Sequence, residues 1–216
     1  MKNQFILISM RQDYFYNKKE LRFCIDTKLI DWILFLGFKP LLVSDIKTLN
    51  DFLGNSLFII NGIILSGGND INKNSLRYKI EKRLTDISKK KKIPLLGICH
   101  GLQFINSLEG GSLKKINNHV RINHKIKSNN TYPLKVNSFH EYGVKKLGRN
   151  FEIISISACS LATKSCLAAT LKASIESLRC FIRFCKRERI SDSEVILLLF
   201  PDRMAISLSL IALLIN

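Results

Sequence analysis

The 216-residue sequence lacks an apolar run long enough to cross a membrane. The longest candidate, Ala205–Ile215, is interrupted by Ser207 and Ser209 and falls short of the ~20 residues that a spanning helix needs. The stretch Gln4–Ser9 is too short for the apolar core of a secretory signal, so it is predicted to be a first strand. We therefore expect a cytoplasmic protein with no membrane partner.

Metal-binding spacings are also missing. The sequence has six cysteines, and in a chain without a visible leader these are expected to be thiols rather than disulfides. Cys24 lies in an apolar stretch of helical pattern, which predicts a core position. The last quarter holds four more, which match no familiar zinc pattern and have no histidine near them: Cys159, Cys166, Cys180 and Cys185. We expect no metal and no cofactor.

Alanine, glycine and asparagine are distributed unevenly along the chain. Residues 1–157 contain no alanine, whereas residues 158–216 contain seven. All eleven glycines lie before residue 149, and of the asparagines only Asn216 follows residue 157. An α/β domain needs both residue types at its turns. The switch predicts a domain over residues 1–157 and an anomalous segment over 158–216, which arises either from a shifted reading frame or from a divergent extension.

The formal net charge of +17 raises the question of nucleic-acid binding. The basic residues are scattered, and only Lys89–Lys92 forms a run, between a helical pattern and a strand. Cations at that place suit the end of a helix. No basic patch interleaved with aromatic residues accompanies the run, so a specific nucleic-acid partner is not expected.

Short apolar runs alternate with helical patterns through the first half of the chain. The predicted strands and helices are, in order, Gln4–Ser9, Ile25–Leu36, Pro40–Val43, Thr48–Leu53, Gly62–Leu65, Leu76–Lys91, Ile93–Leu96 and Leu102–Leu108, with later strands at Tyr132–Val136 and Phe151–Ile156. This alternation predicts an α/β fold with a mostly parallel sheet and helices on both faces, of the flavodoxin-like type. Ligands of such sheets bind at the carboxyl ends of the strands.

The turn Gly97–Gly101 carries the strongest chemical signal. Its sequence is G-I-C-H-G, and it stands between an apolar strand and a helix, which is the context of a nucleophile elbow with cysteine in place of serine. Glycines two residues to either side leave room for a nucleophile on a cramped turn. The following helix directs its N-terminus at the thiol of Cys99, which lowers the thiol pKa from about 8.5. The alternative is a buried cysteine beside a structural turn.

A second glycine-rich turn, Ser66–Asp70, follows the strand Gly62–Leu65. A backbone without side chains can approach a ligand closely. The amides of this turn, together with that of His100, suit an oxyanion site. The alternative is an ordinary connection between a strand and a helix.

Four segments together resemble the glutamine amidotransferase-like superfamily, and within it most closely the γ-glutamyl hydrolase, or peptidase C26, branch. They are ILSGGNDI, PLLGICHGLQFIN, GGSLKKINNHV and VNSFHEYGV, and they occur in the family's order over residues 1–157. The opening stretch is similar to bacterial members linked to surface-sugar pathways.

The resemblance implies that Cys99 attacks a γ-glutamyl amide and that the amides of Gly68 and His100 hold the oxyanion. Gly67 and Gln103 would line the pocket. His140, within Ser138–His140, matches a motif on the substrate side and not the family's base.

The chain departs from the family where the base is expected. The family carries a His-Pro-Glu motif after a later strand, whereas no histidine follows His140 here. The nearest similar segment places Phe200 and Asp202 at the positions of the base and its carboxylate, and a phenylalanine cannot accept a proton. The loss of a general base costs roughly 10²–10⁴ in rate. Activity is therefore in doubt.

Four functions remain open from the sequence. The first is a γ-glutamyl amide hydrolase with impaired activity, whose partner is a small γ-glutamyl substrate or glutamine. The second is a glutaminase subunit that passes ammonia to a partner synthetase. The third is an inactive binding protein that keeps the pocket, and the fourth is a basic nucleic-acid binder.

Overall fold

The computed structural model describes residues 4–55, 57–117, 120–128, 135–149, 151–158 and 167–171. The chain divides into two compact units, residues 1–101 and residues 102–216, which are described in turn. None of the helices in the described ranges has the length and apolar character that crossing a membrane requires.

The first unit alternates strands and helices. Its elements are β1 (Gln4–Ser9), β2 (Arg11–Phe15), β3 (Glu20–Cys24), α1 (Thr27–Phe35), β4 (Lys39–Val43), α2 (Ile46–Gly54), β5 (Ile59–Leu65), α3 (Leu76–Lys91) and β6 (Leu95–Gly97), and a single 3₁₀ turn at Tyr16–Lys18 joins β2 to β3. Helix α4 (His100–Leu108) begins at the boundary of the two units.

Four of these strands form a parallel sheet in the order β4-β1-β5-β6. Helices α1 and α2 contact β4, and α3 contacts β1 and β5. The predicted α/β class with a mostly parallel sheet is confirmed. Strands β1, β5 and β6 are neighbours, so the segments that follow their carboxyl ends lie together at one edge of the sheet.

Local signals explain most of the helix boundaries. The carboxylate of Asp26 accepts a hydrogen bond from the backbone of Lys28, which caps α1, and Gly37 has the positive φ of +79° expected just beyond its end. Ser75 caps α3 in the same way, and three lysines occupy its last turn. The predicted bounds of α3 are confirmed, as is the solvent exposure of the lysine run.

The core of the first unit comes from the sheet and from the faces of the helices turned toward it. Its fully buried apolar side chains include Leu7, Ile8, Ile33, Leu49, Ile63, Leu65, Ile80 and Leu84. Burial of each such side chain stabilises the fold by roughly 1.5–3 kcal/mol relative to an exposed one.

The hairpin of β2 and β3 was not predicted. Its strands pair antiparallel, with Arg11 opposite Cys24 and Phe15 opposite Glu20. Neither strand contains a buried residue, and neither shows the apolar alternation that marks a strand in sequence. The prediction that Cys24 lies in a core helix is wrong, because Cys24 ends β3 and is only partly buried.

The second unit is built from antiparallel strands. After α4 it contains β7 (Ser112–Lys115), β8 (Val120–Ser128), β9 (Lys135–Phe139), β10 (Tyr142–Lys146), β11 (Phe151–Ala158) and β12 (Leu167–Leu171). They form a pair, β10-β7, and a sheet in the order β12-β11-β8-β9. Of the strand predicted at Tyr132–Val136, the described part begins at Lys135 and belongs to β9.

Much of the anomalous segment lies outside the described residues. This applies to the four late cysteines and to Phe200, Asp202 and Ala205–Ile215. Strand β11 extends one residue past the predicted boundary at residue 157, and the division of the chain there stays a prediction.

Candidate functional site

The elbow at Cys99 has the geometry that the sequence predicts. Cys99 stands between the end of β6 and the start of α4, with a positive φ of +50°. A non-glycine residue in this left-handed region costs on the order of 1–3 kcal/mol, and such strain concentrates at functional turns. The side chain of Cys99 is partly exposed. The turn therefore presents a thiol at the carboxyl edge of the parallel sheet.

Gly101 is required by the tightness of the elbow. A Cβ atom at this position would collide with the carbonyl oxygen of Leu65 in β5. The amide of Gly101 donates to the oxygen of Ile98 at 2.9 Å, which closes the turn. The first residue of α4 thus follows Cys99 directly.

The sheet brings the two glycine-rich turns together. Leu65 lies opposite Gly97 in the register of β5 and β6, and the amide of Ile98 donates to the oxygen of Leu65 at 2.9 Å. A Cβ atom on Gly67 would lie 3.6 Å from the Cβ of Cys99. The turn that the sequence proposes for the oxyanion therefore lies in contact with the proposed nucleophile.

The unpredicted hairpin rests on the oxyanion turn. Gly68 has a φ of +87°, and a Cβ atom there would lie 2.8 Å from the Cδ of Arg11. The guanidinium of Arg11 pairs with Asp13 at 2.8 Å. The side chain of Asn69 accepts from the amide of Gln12 at 2.8 Å. These contacts fix the turn from the side of the hairpin.

A buried ionic cluster lies beneath the two turns. Arg77, Glu81 and His100 are 3%, 0% and 3% exposed. One carboxylate oxygen of Glu81 accepts from Nε of Arg77 at 2.9 Å and from the hydroxyl of Ser9 at 2.8 Å. Its other oxygen lies 2.8 Å from Nε2 of His100. The hydroxyl of Ser9 also accepts from the amide of Ser66 at 3.1 Å, so β1, α3 and both turns share one network.

The environment of Glu81 favours its ionised form. Burial alone would raise the pKa of this carboxyl group, but the hydrogen bond from His100 and the charges of Arg77 and His100 outweigh burial and hold the pKa below its usual range. The carboxylate is therefore ionised at neutral pH.

His100 is not placed to act as a base toward Cys99. Its Nδ1 lies 2.8 Å from the carbonyl oxygen of Asn69, and its Nε2 contacts Glu81. Both ring nitrogens are occupied by these contacts.

Gln103 and His140 belong to the second unit, where both side chains donate a hydrogen bond to the same carbonyl oxygen. The side-chain amide of Gln103 donates to the carbonyl oxygen of Tyr142 at 2.7 Å, and Nδ1 of His140 donates to the same oxygen at 2.9 Å. Glu141 does not orient His140, because its carboxylate faces Lys115 at 3.5 Å. No group of three metal-ligating side chains occurs in the described part of the chain.

Sequence reasoning missed Arg77, Glu81 and the hairpin. The four-residue spacing of Arg77 and Glu81 on a charged helix is typical of an exposed ion pair, and only the packing of α3 against β1 and β5 reveals that the pair is buried. The family motifs point to the turns and not to the groups beneath them.

Comparison with known families decides the ancestry. Residues 43–167 match the family model of class-I glutamine amidotransferases. The chain belongs to this family. The glutamine amidotransferase fold is also found among solved structures. A structure described as a putative GMP synthase subunit of Thermoplasma acidophilum aligns with a TM-score of 0.56 and 19% identity over 86% of this chain and 96% of that one. A glutamine amidotransferase of Thermotoga maritima aligns with a TM-score of 0.55 and 14% identity over 94% and 91%.

Two characterised proteins are similar to this chain in sequence. The γ-glutamyl-CDP-amidate hydrolase of Campylobacter jejuni is 32% identical over 155 residues, which is 68% of this chain and 74% of that protein. The glutamine-hydrolysing GMP synthase subunit of Methanocaldococcus jannaschii is 31% identical over 129 residues, or 56% of this chain and 64% of that protein.

Proposed function

We propose that the protein is a cytoplasmic γ-glutamyl amide hydrolase in which Cys99 is the nucleophile. The observation that carries the proposal is the strained elbow, with Cys99 at a φ of +50° and in contact with the turn that contains Gly67. The similarity to a hydrolase of a γ-glutamyl amide supports the substrate class. The amine part of the substrate is proposed to resemble that of the Campylobacter relative more than the ammonia of glutamine.

The reaction follows from the placement of the groups. The thiolate of Cys99 attacks the γ-carbonyl carbon, a C–S bond forms, and the π electrons move to the oxygen. The backbone N–H groups of Gly68 and His100 stabilise this oxyanion. When the oxyanion collapses, the C–N bond breaks and the amine takes a proton from water. A second water then hydrolyses the thioester, which releases glutamate and returns the thiol.

Proton transfer is the slow part of this scheme. His100 is engaged by Asn69 and Glu81, and residues 141–216 contain no histidine. We therefore propose that water supplies and accepts the protons that a positioned base handles in the family. We propose a turnover that is roughly 10²–10⁴ lower than with a positioned base.

A diazoketone analogue of glutamine tests the proposal. Mass spectrometry of the digested chain is expected to find the adduct on Cys99 and to find Cys24, which is also a partly buried thiol, unlabelled. Excess γ-glutamyl amide should slow the labelling. Equal labelling rates at Cys99 and Cys24, or no labelling of Cys99, would contradict a competent site. Labelling of Cys99 without any release of glutamate from substrate would indicate a binding protein that keeps the pocket.

A second candidate is a glutaminase subunit that supplies ammonia to a synthetase. The similarity to a glutamine-hydrolysing GMP synthase subunit supports it. This role predicts that glutamine is hydrolysed faster than other γ-glutamyl amides and that turnover rises when a partner synthetase is added. A preference for substituted γ-glutamyl amides over glutamine would favour the stand-alone hydrolase.

A further inference from the structure

The buried cluster of Arg77, Glu81 and His100 is more than a stabilising contact. Removing three ionisable side chains from water is costly, and a buried ion pair often contributes little net stability compared with apolar side chains of similar size. Here the cluster lies directly beneath the two turns of the proposed site. Its contacts indicate what it does for them.

Arg77 fixes the peptide groups of the oxyanion turn. Its guanidinium donates to the carbonyl oxygens of Gly68 at 2.6 Å, Ser66 at 2.7 Å and Gly67 at 3.3 Å. The described peptide bonds are all trans, so each carbonyl points away from the N–H of the residue that follows it. With the oxygen of Gly67 held toward Arg77, the N–H of Gly68 is turned to the opposite side. Arg77 thereby orients the proposed oxyanion donor.

His100 adds a second cation to the cluster. Its Nδ1 faces a carbonyl oxygen of Asn69, and its Nε2 faces the carboxylate of Glu81, each at 2.8 Å. Both neighbours are hydrogen-bond acceptors, so both ring nitrogens must carry a hydrogen. The imidazole is then an imidazolium, and two cations surround one carboxylate.

The excess positive charge lies next to the nucleophile. His100 follows Cys99 in the chain, and its ring is buried, so its charge is screened by water less than the charge of an exposed side chain. Other charged side chains near the turns are Arg11 and Asp13 of β2, which form an ion pair, and Asp70, which is exposed to solvent at the end of the oxyanion turn.

We propose that Arg77, Glu81 and His100 form a positioning cluster that orients the amide of Gly68 and stabilises the thiolate of Cys99 by its net positive charge. Thiol activation then needs no proton-accepting side chain, whereas protonation of the leaving amine and hydrolysis of the thioester still depend on proton transfer with water. The side chains of the cluster do not touch the substrate. The inference rests on the proposed function in assigning Gly68 to the oxyanion. The ionisation of the Cys99 thiol can be measured without any substrate.

The rate of alkylation by iodoacetamide, followed for each cysteine peptide as a function of pH, tests the proposal in the full chain. In the wild type, the pH midpoint for Cys99 should lie below that for Cys24, which serves as an internal reference. H100Q removes one cation and should raise the Cys99 midpoint by about one pH unit, with no change at Cys24. H100R restores a permanent charge and should bring the midpoint back toward the wild-type value.

R77K separates charge from geometry. Lysine keeps the cation but cannot donate to three carbonyl oxygens from a rigid fork. The Cys99 midpoint should stay near the wild-type value, whereas labelling by the diazoketone should slow by about tenfold.

An unchanged Cys99 midpoint in folded H100Q would overturn the proposal. If H100Q does not fold, the wild-type chain still tests the proposal. A wild-type Cys99 midpoint at or above that of Cys24 would also overturn it. The two proposals fail separately. A low Cys99 midpoint without diazoketone labelling would contradict the γ-glutamyl function and support the role of the cluster. Diazoketone labelling of Cys99 with an ordinary midpoint would support the function and contradict the role of the cluster.

Discussion

Nε2 of His100 lies 2.8 Å from the buried carboxylate of Glu81, so the residue after the proposed nucleophile is tied to helix α3. This contact joins the elbow to the helix that also holds the oxyanion turn through Arg77. A single carboxylate therefore links both parts of the site, and its ionisation should affect the stability of the fold.

E81Q should destabilise the chain in a pH-dependent way. The pKa of Glu81 is lowered in the folded state, so the folded chain binds fewer protons at this group than the unfolded chain near the ordinary pKa of glutamate, about 4.3. The stabilising contribution is complete above that pH and is lost as the pH falls through the lower folded-state pKa. We expect a difference in unfolding free energy of about 3 kcal/mol at neutral pH. Urea unfolding at a series of pH values checks this, and a difference that stays constant in acid would refute it.

G101A should disrupt the elbow. The added Cβ collides with the carbonyl oxygen of Leu65, and a backbone atom in a sheet cannot move aside cheaply. We expect a loss of about 1–3 kcal/mol of unfolding free energy and of Cys99 labelling. G54A is the matched control, because a Cβ there meets no atom within 4 Å. Thermal melts should show it at or slightly above the wild-type stability, and equal melts for the two variants would count against a cramped elbow.

G68A and G37A form a second pair. Both glycines have a positive φ, +87° and +79°, so alanine costs each backbone roughly 1–2 kcal/mol. Only at Gly68 does the new Cβ also meet a side chain, that of Arg11, and only Gly68 lies in the proposed oxyanion turn. Diazoketone labelling of Cys99 should slow on the order of 10–100-fold in G68A and remain near wild type in G37A. Equal labelling rates in the two variants would argue against a role for the turn.

Imidazole in solution should accelerate turnover. The proposed mechanism assigns no histidine of this chain to proton transfer with Cys99 or with the leaving amine. A small base that diffuses to the site can replace the missing one. The release of glutamate from a γ-glutamyl anilide should rise with the concentration of neutral imidazole, and C99A should show no such rise. A rate that is insensitive to imidazole would mean that the chain supplies its own base.

The sequence was sufficient for the parts of the site that depend on backbone conformation. The turns at Gly67, Gly68 and Cys99 contain glycines at a spacing that is typical of a tight connection between a strand and a helix. The apolar strands before these turns are also visible in the local sequence. The bounds of α3 were also predicted from local sequence, and the structure adds the reason for its start, which is the cap from Ser75.

The cluster beneath the turns could not be predicted, because burial is decided by packing over long sequence distances. Ser9 and Glu81 are separated by 72 positions, and nothing local indicates that a charged helix face is turned inward. In the second unit, strands β9 and β11 were predicted in part, whereas β7, β8, β10 and β12 and the antiparallel pairing were not, since pairing between distant segments leaves no local signal. The anomalous segment beyond residue 157 stays a prediction, and translating its DNA in all three frames would reveal a displaced His-Pro-Glu.

The most direct test of the account is to trap the acyl-enzyme. Deacylation without a positioned base should be slow, so a γ-glutamyl thioester should accumulate while a γ-glutamyl anilide is consumed. Acid quenching followed by peptide mass spectrometry should locate this group on Cys99. Anilide hydrolysis at full rate in C99A, or a γ-glutamyl group on any other residue, would contradict the account.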